Sequence, residues 1–199
     1  MRTIFAFDTA TSRTSCALLC DGEVVGERLT EAREVLAAAD ELVRRAGLQP
    51  GAIDALVVGT GPGSFTGVRI GLAVARGLAL ALDVQGAGVP TLDALAAGAP
   101  GATPVIDARR REVFTLLGGE PAVLAPSVLP VEEGTLYVGD GARRYRGEIE
   151  SRGGLVPRDG DERHVPRACF HAALARDLGP VDAIEPLYLR VPDAEKSVR

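Results

Sequence analysis

The stretch Gly59-Thr60-Gly61-Pro62-Gly63-Ser64-Phe65-Thr66-Gly67-Val68-Arg69-Ile70-Gly71 constrains this chain more than any other. An apolar run at 55–58 precedes it and reads as a buried strand. A proline-free segment at 68–82, rich in Ala, Leu, Val and Ile, follows it and reads as a helix. Strand, glycine loop and helix in that order is the local arrangement that phosphate-binding loops use. The Lys-Ser/Thr ending of a Walker loop and the Gly-x-Gly-x-x-Gly of a dinucleotide site are both missing. Ser64 or Thr66 suits the helix N-cap, because a hydroxyl there accepts an orphan backbone N–H.

Gly63, Gly67, Gly71, Ala75 and Ala79 fall at every fourth position, so one helix face is nearly bare backbone. A mid-helix glycine costs about 1 kcal/mol against alanine, and close approach by another backbone is the natural reason to keep two. The approaching group is either the chain's own sheet or a partner helix or ligand.

At 199 residues the chain can form one large domain or two small ones, and 46% hydrophobic residues suffice for a core. A net charge of −5 argues against a broad non-specific grip on nucleic acid. Arginines still cluster at Arg109-Arg110-Arg111 and Arg143-Arg144. Cys16, Cys20 and Cys169 offer no CxxC pair and no bridgeable partners along one strand, so we expect a reduced, cytoplasmic protein with neither disulfide nor zinc framework. The N-terminus lacks a signal-peptide apolar core. The segment 68–82 is too short and glycine-rich to suggest a membrane span.

In order, strands are expected at 3–7, 15–19 and 23–29, the last two joined by the hairpin signal Asp21-Gly22. A helix at 33–46, the strand at 55–58, the long helix, a strand at 84–89 and a helix at 91–97 capped by Thr91 complete a first half, residues 1–98. This is the pattern of a ribonuclease-H-like unit, an α/β mixed sheet with helices on its faces. After a small-residue linker, residues 104–199 begin a second, abbreviated half. It has strands at 104–107, 112–117 and 135–138, helices at 142–150 and 167–178, and a frayed end at 193–199.

Asp8 ends the first strand, where α/β sheets face their ligand crevice. It either positions a magnesium ion or water, or holds an Asx-turn. Asp107 ends a strand of the second half and is followed by arginines, so it either faces a nucleotide cleft or pairs with Arg109 or Arg111. Gly139-Asp140-Gly141 supplies a third corner of such a cleft. The candidate cleft set is therefore Asp8, Thr9, Gly61, Gly63, Asp107, Arg109, Gly139 and Gly141. His164 and His171 lack ligand spacing and read as surface or helix-face residues, with no metal site. Ser64 is not in a Gly-x-Ser-x-Gly elbow, and Phe65 reads as core anchor or interface residue.

Four runs occur in order: Phe7-Asp8-Thr9-Ala10-Thr11, Gly61 to Gly71 as above, Ile106-Asp107-Ala108-Arg109-Arg110-Arg111-Glu112-Val113-Phe114, and Glu185-Pro186-Leu187-Tyr188-Leu189-Arg190. Together they resemble the TsaB (YeaZ) family over essentially the whole chain. The resemblance implies an actin/Hsp70/sugar-kinase-like fold of two ribonuclease-H-like halves. It implies a role in making N6-threonylcarbamoyladenosine at position 37 of tRNAs that read ANN codons, as the non-catalytic paralogue of TsaD. TsaD carries its metal on a His-x-x-x-His pair that this chain lacks. Glu31-Ala32-Arg33-Glu34 stands where relatives commonly keep a single His, and Asp107-Ala108-Arg109 replaces the two-glycine phosphate turn of the catalytic paralogue.

The family pairs with TsaD, and with itself, through its first two helices. The expected interface is thus Arg33, Leu36, Leu42 and Val43 with Ser64, Phe65, Gly67, Val68, Gly71 and Ala75. On that basis Gly71→Leu should leave the monomer folded and block pairing. A TsaE-like ATPase would bind near the junction, tRNA would be reached through the complex, and metal and ATP would belong to partner subunits, leaving at most weak nucleotide binding here. The rival readings are an ATPase or kinase of the same fold using Asp8 and Asp107, and an M22-type glycoprotease.

Overall fold

The computed structural model describes residues 2–189. The first three apolar runs form an antiparallel meander of β1 (Thr3–Asp8), β2 (Thr14–Cys20) and β3 (Glu23–Thr30). On the other edge of β1, β4 (Ala55–Gly59) pairs in parallel, with Ile4 opposite Ala55, and β5 (Gln85–Val89) continues in parallel. Parallel neighbours require long crossovers. The helices α1 (Val35–Arg45) and α2 (Phe65–Leu82) supply them, giving the order β3-β2-β1-β4-β5.

The second half repeats this plan. β6 (Thr103–Asp107), β7 (Val113–Leu117) and β8 (Glu120–Leu124) form a meander, and β9 (Tyr137–Val138) pairs in parallel with β6. The order β8-β7-β6-β9 is the first sheet without its fifth strand. β8 was not expected. Its signal was Gly118-Gly119, both at positive φ, which closes a two-residue hairpin.

The central strands of each sheet are buried on both faces, and their alternation sorts residues between two cores. Phe5, Phe7, Leu18, Leu56 and Val58 face α1 and α2. Ala6, Ala17 and Val57 face α6 (Ala168–Leu174), which comes from the far end of the chain. Conversely, Leu92 and Leu95 of α3 (Thr91–Ala97) pack on Ile106, Phe114 and Val138 of the second sheet. The division between residues 98 and 104 therefore holds for the sheets, while α3 and α6 cross it.

Several expected elements differ. The helix at 142–150 is two short ones, α4 (Asp140–Arg144) and α5 (Arg146–Glu150), broken at the non-helical Tyr145. α6 ends at Leu174 because the chain turns back to bridge Gly179 to Gly86 at the edge of β5. Thr91 is the first helical residue rather than the cap, which is Pro90, and its hydroxyl points elsewhere. Arg190 and residues 193–199 lie outside the described residues.

The bare face of α2 meets the chain itself. A Cβ on Gly63 would run into the Ala10 carbonyl, one on Gly67 into the Thr9 carbonyl, and one on Gly71 into the Thr9 hydroxyl. The glycines let the helix lie against the turn after β1, so this face cannot receive a partner. By length and composition α2 is long enough to cross a membrane, which corrects the expectation that it is too short. Its packing on β1 and β4 would have to be undone for it to do so.

Candidate functional site

The turns after β1, β4 and β6 converge on a cavity of about 550 Å³ between the halves. Gly63, Ser64 and Phe65 line it from the first half, Asp107, Arg109 and Asp140 from the second, and Tyr188 from the closing segment. Of the eight expected cleft residues, only Gly63, Asp107 and Arg109 reach this cavity; the other five are buried.

Asp8 is fully buried. Its Oδ1 accepts from the Ala10 amide at 2.6 Å and its Oδ2 from the Thr91 hydroxyl at 2.7 Å. The first bond is an Asx-turn. His171 Nε2 lies 2.7 Å from the same Oδ2, close but out of line for a ring N–H hydrogen bond. Asp8 thus ties together β1, α3 and α6 and has no face for a metal or nucleotide. Thr9 donates to the Gly67 carbonyl at 2.7 Å, and the Gly61 amide donates to Thr91 Oγ1 at 3.1 Å. Gly139, at φ 112°, and Gly141 press on the β6 backbone, where a Cβ would strike Val105 O or Ile106 C. They serve packing of α4 and do not cradle a ligand.

Both histidines are buried, so neither is a surface residue, while His171 does stand on a face of helix α6. His171 is absorbed by Asp8. His164 Nδ1 lies 3.1 Å from the Gly139 amide and its Nε2 3.0 Å from the Pro157 carbonyl, fixing the turn that carries Asp140. The described residues contain no cluster of three or more His, Cys, Asp or Glu able to hold a metal.

Asp107 repeats the Asx-turn, with Oδ1 accepting from the Arg109 amide at 3.0 Å. Its Oδ2 lies 3.3 Å from Arg109 and 3.5 Å from Arg144. Arg144, rather than Arg111, is its second ion-pair partner. The Asp107 amide donates to Asp140 Oδ1 at 2.9 Å. Burial, with a contribution from the Asp107 charge, pushes the Asp140 carboxyl up from its ordinary value. Arg109, Arg110 and Arg111 all have positive φ (61°, 51° and 58°). A left-handed turn of three non-glycine residues costs about 1–2 kcal/mol for each.

At the rim, the Arg69 guanidinium lies 3.9 Å from the Phe65 ring centroid, and its Nε donates to the Tyr188 hydroxyl at 3.0 Å. The Phe65 and Tyr188 rings are 5.3 Å apart. The Leu187 amide donates to the Thr60 carbonyl at 2.8 Å, so the closing segment is pinned across the glycine loop. Ser64 caps α2 by accepting from the Gly67 amide.

The outer face of α1 and α2 is a second candidate surface. Arg33, just before α1, and Leu36 on it are exposed, and Ser64 and Phe65 are exposed at the start of α2 where they line the cavity, but Leu42, Val43, Gly67, Val68, Gly71 and Ala75 are buried in the core. Those six cannot form an interface. The residues overlooked are Ile70, Ala73, Gly77, Leu80 and Ala81. Leu80 is 87% exposed, and a Cβ on Gly77 would meet nothing within 4 Å. Their three- and four-residue spacing was visible, but so was that of the buried face.

Residues 30–128 match the family described as TsaD, tRNA N6-adenosine threonylcarbamoyltransferase. The tRNA threonylcarbamoyladenosine biosynthesis protein TsaB of Escherichia coli is 36% identical, with 94% of each chain covered. TsaB of Bacillus subtilis is 30% identical, with 97% of this chain and 96% of that protein covered. The structure of YeaZ from Pseudomonas aeruginosa superposes with a TM-score of 0.77 at 30% identity, covering 95% of this chain and 100% of that one. The fold is the actin/Hsp70/sugar-kinase-like one, built of two ribonuclease-H-like halves.

Proposed function

This chain belongs to the TsaB family, and on that premise we propose that it is the non-catalytic, activating subunit of a complex that makes N6-threonylcarbamoyladenosine in tRNA. The observation that carries this is the outer face of α2, an 18-residue apolar helix on which Ile70, Ala73, Gly77, Leu80 and Ala81 are exposed. Exposed apolar surface of that extent marks a place where another protein docks. The occupant in this reading is a TsaD-like catalytic paralogue, laid along Leu36, Ile70, Ala73, Gly77 and Leu80. Gly77 takes the role first given to Gly71, since it has no side chain and faces open space. The same face would pair two copies of this chain when the paralogue is absent.

The burial of Asp8 supports a subunit without chemistry of its own, because the first strand's carboxylate is consumed in holding the halves together. Metal and ATP then reside on the partners, with a TsaE-like ATPase near the junction, tRNA met through the complex, and the whole in the cytoplasm.

Threonylcarbamoyl transfer to tRNA by the cognate TsaD-like and TsaE-like proteins, with and without this chain, tests the reading. Activity should depend on the chain. Leu80→Glu and Gly77→Leu should stay folded, fail to co-elute with the paralogue and fail to restore transfer. Transfer that proceeds equally without the chain overturns the role, and normal pairing by both variants overturns the surface.

A further inference from the structure

The cavity between the halves is left without a task by the pairing role. Its rim joins an aromatic platform to arginine. Phe65 and Tyr188 are 39% and 38% exposed, and the Arg69 guanidinium sits over one face of the Phe65 ring, just outside the cavity lining. Among the described residues Arg69 has no ion pair with a carboxylate. From the other half, Arg109 reaches the cavity on a left-handed turn. It is 72% exposed, and if it turns to another anion, Asp107, only 8% exposed, keeps Arg144 as its partner.

The groups that would grip a metal-bound triphosphate are already engaged. Asp8 is buried against Thr91 and His171, Thr9 donates to Gly67, and Ser64 caps α2. What remains suits a flat base and the phosphates on either side of it. Exposed rings accept any base by stacking, and arginines take the phosphates beside it. A net charge of −5 opposes a long polyanionic track, so the contact is short.

We propose that this cavity binds a nucleotide unit of single-stranded RNA, its base stacked on Tyr188 and on the face of Phe65 that Arg69 leaves open, and its flanking phosphates held by Arg109 from the cavity wall and by Arg69 from the rim. The choice of RNA rests on the proposed role in tRNA modification; the base-and-phosphate chemistry rests on the cavity. A duplex, whose bases are already stacked, cannot use the platform.

The test is fluorescence anisotropy of a labelled single-stranded adenosine oligoribonucleotide of about 12 nucleotides, titrated with the full chain at low salt. Binding should weaken about tenfold with Tyr188→Ala and with Arg69→Gln, and Tyr188→Phe should retain it. Arg109→Gln should lower the salt dependence by about one phosphate contact. Thermal unfolding of each variant separates loss of binding from loss of fold; Arg69→Gln and Tyr188→Phe keep the test decisive if Tyr188→Ala unfolds. No binding by the native chain, equal binding by the variants, or equal binding of duplex RNA overturns the proposal. AMP binding as tightly as the oligonucleotide also overturns it, in favour of a free nucleotide. Transfer assays that still require the chain after such a result would show that the site has failed and the subunit role has not.

Discussion

Asp8 and Asp107 occupy equivalent places, each ending the first strand of its sheet and closing an Asx-turn on the amide two residues on. Their surroundings differ. The first turn is roofed by Thr91 and His171 and floored by the glycine face of α2, so its carboxylate is out of water. The second is held by Arg109 and Arg144, whose side chains are 72% and 55% exposed. One fold position has thus been used twice, once to lock two halves together and once to furnish a cavity wall. The neighbours decide which: a carboxylate among buried hydroxyl and imidazole groups becomes structural, while one among solvated arginines stays open to exchange.

Five substitutions probe that contrast. Gly71→Leu should have the largest effect, because the side chain would displace Thr9 and with it the first turn. We expect more than the about 1–3 kcal/mol of ordinary overpacking and no cooperative thermal unfolding. A well-folded Gly71→Leu protein would remove the floor from the account. Asp8→Ala leaves His171 and Thr91 buried without their partner and should cost about 3–5 kcal/mol in denaturant unfolding. Asp107→Ala releases arginines that water already solvates and should cost only about 1 kcal/mol. Equal losses at the two aspartates would erase the distinction.

Arg111→Gly relieves a left-handed residue and should stabilise by about 0.5–1 kcal/mol, read as a higher Tm. The smallest effect is expected from Asp140→Asn and is a matter of pH. The Asp140 carboxyl is raised above its ordinary 3.8, so its favourable contribution is fully present below that pH and is lost as pH rises through the folded value. The stability difference between variant and native protein should be flat below about pH 3.8 and move in favour of Asn above it. A difference that stays flat throughout would place Asp140 in water.

Much of the architecture was legible in the sequence. Apolar runs of strand length, the Asp21-Gly22 turn and the long apolar helix yielded eight of the nine strands, and their order implied a repeated mixed sheet. The short strand β8 escaped because Pro121 interrupts its pattern, although Gly118-Gly119 marked the hairpin. Candidate sites were less legible. Gly67 and Gly71 announced a close approach, and the approach is real, but its partner is Thr9, 58 residues away from Gly67 in sequence. His171 carries no local signal of its pairing with Asp8, since the two meet only when α6 crosses to the first sheet.

The sequence by itself determined the elements, the loops that join them and the family to which the chain belongs, because these follow from periodicity, turn chemistry and runs of adjacent residues. Only the tertiary structure decided which apolar face of α2 is core and which is surface. Both faces carry the helical period, and hydrophobicity has no direction until a sheet covers one of them. The same holds for the two aspartates. Their local turns are alike, and much of the difference in their chemistry comes from Thr91 and Arg144, each more than 30 residues distant from the aspartate that folding brings it to.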